Sequence, residues 1–200
     1  MKYRKYWWQL WRKKKPKLKQ WPPVLKLPVD IPKWTELRVK VHKMVDATAQ
    51  ERIKFKKAMA LFEECANSEE FKEAVLDAYM EEKDGYSNEQ IYQMLMSGVD
   101  DFDEMEDGEV DVFISFYYED SGTLGYTYPN TFKTWVNRKF FRHFTLGDMA
   151  GNVLHEAMHN LGLDHTDANP DSVPYVYGDI MTRLVNEKIN GTLSFRAIEK

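Results

Sequence analysis

Three of the five histidines in this chain fall within eleven residues, which read His-Glu-Ala-Met-His-Asn-Leu-Gly-Leu-Asp-His from position 155 to 165. His155 and His159 are four residues apart, so on an α-helix their side chains share one face and can bind the same metal ion. On a continued helix His165 would point away from that face, so the chain has to turn back before it. Gly162 can form such a turn, because glycine accepts the left-handed conformation that ends many helices. The stretch therefore predicts a helix, a turn and a returning loop.

The helix that carries the first two histidines has a start signal and an apolar face of its own. Thr145 is expected to cap its N-terminus, with Asp148 in the capping-box position three residues later. We expect Glu156, which lies beside the histidines, to reach a water bound to the metal. The apolar stripe that would anchor the helix to the core consists of Leu154, Met158 and Leu161.

The remainder of the chain predicts a fold with both helices and strands. Alternating apolar residues and β-branched or aromatic runs predict strands near 37–41 and over 110–118, 122–128 and 131–141. Amphipathic periodicity predicts helices over 46–66, 69–83 and 88–97. Pro129 stops the third strand, which favours an edge position. The order strand, helices, strands, helix predicts an α+β domain with a mixed sheet.

Positive charge is concentrated at the N-terminus, where residues 1–29 contain ten Lys or Arg and no Asp or Glu. Five prolines between 16 and 32 favour an extended tether, so we predict a basic aromatic arm over 1–33 and a body over 34–200. The arm suits three partners, which stay open: nucleic acid, an anionic membrane, or a larger assembly such as a virion.

No apolar h-region follows the basic residues and no apolar run could span a membrane. We therefore expect an intracellular or particle (virion)-associated protein.

The eleven-residue stretch carries a family resemblance. His155-Glu156-x-x-His159-x-x-Gly162-x-x-His165 resembles the zinc-binding consensus of the metzincin peptidases. From this chain's composition, the two-histidine motif alone arises by chance about once in a hundred such sequences, and the extended motif about once in a hundred thousand. The extended motif is therefore a specific signal.

Metzincins also place a methionine turn beneath their zinc, and Met181 is the natural match for it. The resemblance covers 110–200, and 34–66 more loosely. Residues 67–100 would then be a helical insertion, and residues 1–33 have no counterpart in the family. The resemblance thus implies a zincin fold with a mixed twisted sheet, an active-site helix, a Met-turn and this insertion.

The resemblance further implies a zinc-dependent endopeptidase with one catalytic Zn²⁺ on the three histidines and a peptide or protein as its substrate. A metal-activated water would hydrolyse the peptide bond with Glu156 as general base. Some metzincins use a tyrosine near the zinc, but none follows Met181 closely, so Tyr175 and Tyr177 are the candidates. Thr166, which follows the third histidine, does not identify a subfamily.

Two other interpretations are compatible with the sequence. One keeps the two-histidine helix and takes a downstream carboxylate such as Glu187 as third ligand, which His165 and Gly162 make unnecessary. The other is a zinc-binding structural or assembly protein with little or no peptidase activity. Glu156 argues against it, because a structural site needs no base. The single cysteine, Cys65, is expected to be a small buried apolar side chain.

Overall fold

The computed structural model describes residues 36–98, 108–122, 124–127, 133–166 and 169–198. Within these residues the chain forms a four-stranded mixed sheet and six helices, which confirms the α+β class. In chain order the elements are β1 (Arg38–Val45), α1 (Ala49–Ala66), α2 (Glu69–Asp77), α3 (Asn88–Ser97), β2 (Glu109–Tyr117), β3 (Gly125–Thr127), β4 (Lys133–Asn137), α4 (Arg138–Phe141), α5 (Leu146–Asn160) and α6 (Val173–Ile189).

The sheet has the strand order β1-β2-β4-β3. β1 and β4 run parallel to β2, whereas β3 runs antiparallel to β4. This confirms the mixed sheet and the edge position predicted for β3. Val112, Ile114 and Phe116 alternate along β2 and are buried, so this face of the sheet packs on the core. Ser115, on the opposite face, is also buried.

The strand predicted over 131–141 is shorter than expected. β4 ends at Asn137, and the next four residues form the helical turn α4. The side chain of Asn137 accepts a hydrogen bond from the backbone N–H of Lys139 at 3.1 Å and so caps this turn. Phe141 is buried and packs edge-on against Phe116, with ring centroids 4.7 Å apart. Phe141, the last residue of the predicted strand, is therefore part of the core through a helical turn.

The turn predicted at Met181 is wrong, because this residue lies within the 17-residue helix α6 and is fully buried. Ser172 at the N-cap and Pro174 in the first turn start the helix, where a missing backbone N–H does no harm. The buried face of α6 then continues at helical spacing through Val173, Tyr177, Met181, Leu184 and Val185. No helix was predicted here from the sequence.

α5 and α6 pack so closely that only glycine fits at their crossing. A Cβ at Gly151 would lie 2.0 Å from the hydroxyl oxygen of Thr182 and 2.4 Å from the carbonyl oxygen of Gly178. A Cβ at Gly178 would in turn lie 3.3 Å from the Cβ of His155. α6 therefore supports α5 one turn before the first of its histidines.

Three further predictions concern Cys65, membrane-spanning helices and the N-terminal arm. Cys65 is fully buried, as predicted, and burial raises the pKa of its thiol. No helix in the described part of the chain is long and apolar enough to cross a membrane. The arm predicted over 1–33 lies outside the described residues, so its three candidate partners stay predictions, as does the localisation.

Glu51 connects the start of α1 to α4. Its carboxylate accepts from the backbone N–H of Thr48 at 2.8 Å and from Nε of Arg138 at 2.8 Å. Burial alone would raise the pKa of Glu51, but the hydrogen bonds from Thr48 and Arg138 together outweigh it and lower the pKa below 4.5. The charged form of Glu51 therefore stabilises the fold.

We expect Glu51→Gln to lower the free energy of unfolding by about 1 kcal/mol at neutral pH. The pKa of Glu51 is lower in the folded chain than in the unfolded one. Its contribution is therefore present above about pH 4.5 and is lost as the pH falls through the folded-state pKa. Urea unfolding of both proteins at neutral pH and near pH 3 measures this difference. It should shrink in acid, and an equal difference at both pH values would contradict the assignment.

Glu73→Gln is the matched control for this experiment. The Glu73 side chain is 63 % exposed and lies 3.4 Å from Arg196. An exposed pair of this kind contributes little, because water screens both charges. The control should therefore leave the free energy of unfolding nearly unchanged at both pH values.

Candidate metal centre

Both ends of α5 are held by local hydrogen bonds. At its start, Thr145 accepts from the backbone N–H of Asp148 at 3.0 Å, and the carboxylate of Asp148 accepts from the N–H of Thr145 at 2.8 Å. This is the predicted capping box. At its end, the N–H of Leu163 donates to the carbonyl of Met158 at 3.1 Å, and Gly162 has the positive φ of 81°. That pattern is a Schellman motif, which turns the chain back towards the helix.

This turn brings the three histidines together, as the spacing predicted. The ring centroids of His155 and His159 are 5.0 Å apart, and that of His165 lies 5.4 Å and 4.9 Å from them respectively. One ligand nitrogen from each residue lies within 4.8 Å of the others. All three side chains are buried, at 5–9 % exposure. They are close enough to bind one metal ion.

Two of the imidazoles are oriented by backbone carbonyls. Nδ1 of His159 donates to the carbonyl oxygen of Leu163 at 2.9 Å, and a ring N–H of His155 donates to the carbonyl of Pro174. Because a carbonyl only accepts, each ring carries its proton on the nitrogen facing the carbonyl, and the other nitrogen is left for a metal. Burial, and then the neighbouring His159 and His165, hold the pKa of His155 well below its usual range. A neutral imidazole is the form that binds metals.

Asp164 contacts two of the histidines. Its carboxylate accepts from the backbone N–H of His165 at 2.7 Å and lies 3.6 Å from Nδ1 of His159. The first contact fixes the peptide unit that precedes the third histidine. The second places negative charge beside a ring N–H, which makes the opposite nitrogen a better ligand. Sequence reasoning missed this residue, and its only signal was a carboxylate next to a predicted ligand.

Glu156 is 5 % exposed and lies beside the histidines on α5. Burial raises its pKa to about 8, although a hydrogen bond from the backbone N–H of Thr127 partly opposes this shift. Thr127 belongs to β3, so the edge strand of the sheet reaches the carboxyl group. A positive charge bound nearby would favour the carboxylate form.

The two candidate tyrosines lie in different places. The ring of Tyr175, in the first turns of α6, lies 4.6 Å from the ring of His155 and 4.8 Å from that of His165. Burial, followed by the charges of Glu156 and Asp179, raises the pKa of Tyr175 to about 12.

Tyr177 is instead fully buried in the core, edge-on to Phe71 at 6.0 Å, and burial raises its pKa well above the usual range. The candidate role for Tyr177 near the metal is therefore wrong. Among the described residues, Glu187 is also not part of the group that could hold a metal. It lies near the end of α6 and pairs with Arg183 at 3.5 Å.

Comparisons of this chain with protein-family models, with curated proteins and with solved structures found no match. The resemblance to metzincins therefore depends on the sequence motif from His155 to His165, because three neighbouring histidines do not by themselves identify that family.

Proposed function

We propose that this chain is a zinc-dependent endopeptidase of the metzincin type. The observation that carries the proposal is the placement of three buried imidazoles within 4.8 Å of one another, with Glu156 buried beside them on the same helix. A cluster of three neutral nitrogen ligands is the kind that catalytic zinc sites use.

The donor set fits zinc by its chemistry. Three imidazoles without a thiolate suit zinc, and catalytic zinc sites use three protein ligands while structural sites usually have four. When bound, zinc supplies a Lewis acid that polarises the scissile carbonyl and acidifies water. His155, His159 and His165 would hold it, and the carbonyls of Leu163 and Pro174 keep two of these rings oriented.

Glu156 would move the proton in this reaction. Its carboxylate would accept a proton from the attacking water and then pass it to the leaving amine. The N–H of Thr127 holds the carboxyl group in place. Since Thr127 lies on the edge strand β3, we propose that an extended peptide substrate lies along that strand. Tyr175, which stays protonated at neutral pH, can donate its O–H to charge that develops on the substrate oxygen.

A zinc-binding structural or assembly protein with little or no peptidase activity is the second candidate. The low exposure of the three histidines favours it, because structural zinc sites are closed to solvent. Glu156 favours the peptidase, since a closed structural site has no use for a buried carboxyl group next to its ligands.

Cleavage of a randomised peptide library by the zinc-loaded chain, followed by mass spectrometry, tests the proposal. We expect internal peptide bonds to be cut, a chelator to stop cleavage, and added zinc to restore it. A chain that holds zinc tightly and cleaves no member of the library would support the structural alternative instead.

A further inference from the structure

The connection between α2 and α3, residues 78–87, packs against the loop that carries His165. The carboxylate of Glu82 accepts from the backbone N–H of Thr166 at 3.1 Å and also from its hydroxyl group. Thr166 directly follows His165 in the chain. This contact joins residues 84 positions apart and reaches the peptide unit next to a metal ligand.

The same connection holds the far end of that loop. The backbone N–H of Glu81 donates to the carbonyl of Asp171 at 2.7 Å, and its carboxylate accepts from the side-chain amide of Asn169 at 3.0 Å. Glu81 also forms a parallel bridge with Ser172, the N-cap of α6. The loop is therefore fixed at Thr166 and again just before α6.

The backbone of this connection adopts a conformation that non-glycine residues rarely take. Glu82 has a φ of 54° and Asp84 a φ of 50°, both in the left-handed region. Such residues persist only where surrounding contacts hold them, and they cluster at functional sites. Glycine would relieve the strain at position 82 but would remove the carboxylate that contacts Thr166.

Carboxylates thus hold the peptide groups on both sides of His165. Its own N–H donates to Asp164 at 2.7 Å, and the N–H of Thr166 donates to Glu82 at 3.1 Å. With both flanking peptide units held, the direction of the His165 side chain from its Cα is fixed. The other two histidines gain the same rigidity from α5.

We propose that Glu82 is a positioning residue for the metal centre. By holding Thr166, it sets the direction in which His165 presents its imidazole to the ion. The α2–α3 connection, which lies in the helical insertion implied over 67–100, is therefore part of the site. This inference assumes that the three histidines bind a metal, and it does not depend on what the metal catalyses.

Metal affinity measures this role independently of activity. Zinc dissociation constants would come from competition with a chromophoric chelator, and ligand geometry from the visible spectrum of the Co²⁺-loaded protein. We expect Glu82→Ala to weaken zinc binding about tenfold and to change the intensity of the Co²⁺ bands. Glu82→Gln, which keeps one acceptor oxygen, and Thr166→Val, which keeps the backbone N–H, should each have a smaller effect in the same direction.

Glu73→Ala is the matched control, because it removes an exposed glutamate from α2 on the surface near Arg196. It should leave the dissociation constant and the Co²⁺ spectrum unchanged. Folded Glu82 variants with wild-type affinity and spectrum would overturn the proposal, even if their melting temperature falls. If Glu82→Ala does not fold, Glu82→Gln and Thr166→Val decide. A wild-type chain that takes up no metal would overturn both this proposal and the zinc peptidase.

Discussion

Glu156→Gln should bind zinc as tightly as the wild-type chain and lose peptide hydrolysis by about 10²- to 10⁴-fold in kcat. The amide has nearly the shape of the carboxyl group, and its oxygen can still accept from the backbone N–H of Thr127. It cannot take a proton from water at neutral pH. The measurement is kcat on a peptide that wild type cleaves, together with the zinc content of both proteins.

Glu187→Gln is the control for that experiment. Glu187 is the carboxylate considered as an alternative third ligand, and it pairs with Arg183 on α6. Its replacement should change neither zinc content nor kcat. Turnover by Glu156→Gln at the wild-type rate would mean that this glutamate is not the general base.

Gly151→Ala should destabilise the fold by about 2 kcal/mol, although alanine favours helices. The exchange gains about 1 kcal/mol in helix propensity. The new methyl group would lie 2.4 Å from the carbonyl oxygen of Gly178, a backbone atom that cannot rotate away. Overpacking a tight interface typically costs about 1–3 kcal/mol and occasionally more. We therefore expect the steric cost to exceed the gain in helix propensity. Urea unfolding measures the difference.

A double variant separates the two contacts at this crossing. Gly151→Ala with Thr182→Ala removes the hydroxyl oxygen that would lie 2.0 Å from the new methyl group, but the carbonyl of Gly178 remains. The double variant should therefore recover only part of the lost stability. A Gly151→Ala variant as stable as wild type would show that α5 and α6 can move apart. It would contradict the inference that close packing on α6 supports α5 next to His155.

The histidine cluster could be predicted from the sequence because its geometry is set by local interactions. His155 and His159 are placed by the period of one helix, and Gly162 forms the turn that the following loop requires. The capping box at Thr145 is likewise a pattern within four residues. Each of these features depends only on neighbours in the chain.

α6 was missed although its signals were present in the sequence. Ser172 and Pro174 mark a helix start, and the apolar residues Val173, Tyr177 and Met181 recur every four positions. The resemblance instead implied a methionine turn at Met181. The helical periodicity should have taken precedence over the family pattern, because it covers more residues.

The contacts that complete the site could not be predicted, because they join distant parts of the chain. Glu82 meets Thr166 across 84 positions, and Thr127 meets Glu156 only because the sheet places β3 beside α5. No periodicity or motif encodes such pairs in a single sequence. They follow from how α2, α3 and the sheet pack around α5 and α6.

The zinc content of the purified chain, compared with that of His159→Ala, tests the central claim most directly. His159 lies between His155 and His165 in the sequence, and its Nδ1 donates to the carbonyl oxygen of Leu163. Elemental analysis should find about one zinc per wild-type chain and almost none in the variant. A wild-type chain without zinc, which takes up none when zinc is added, would contradict the metal centre and the peptidase together.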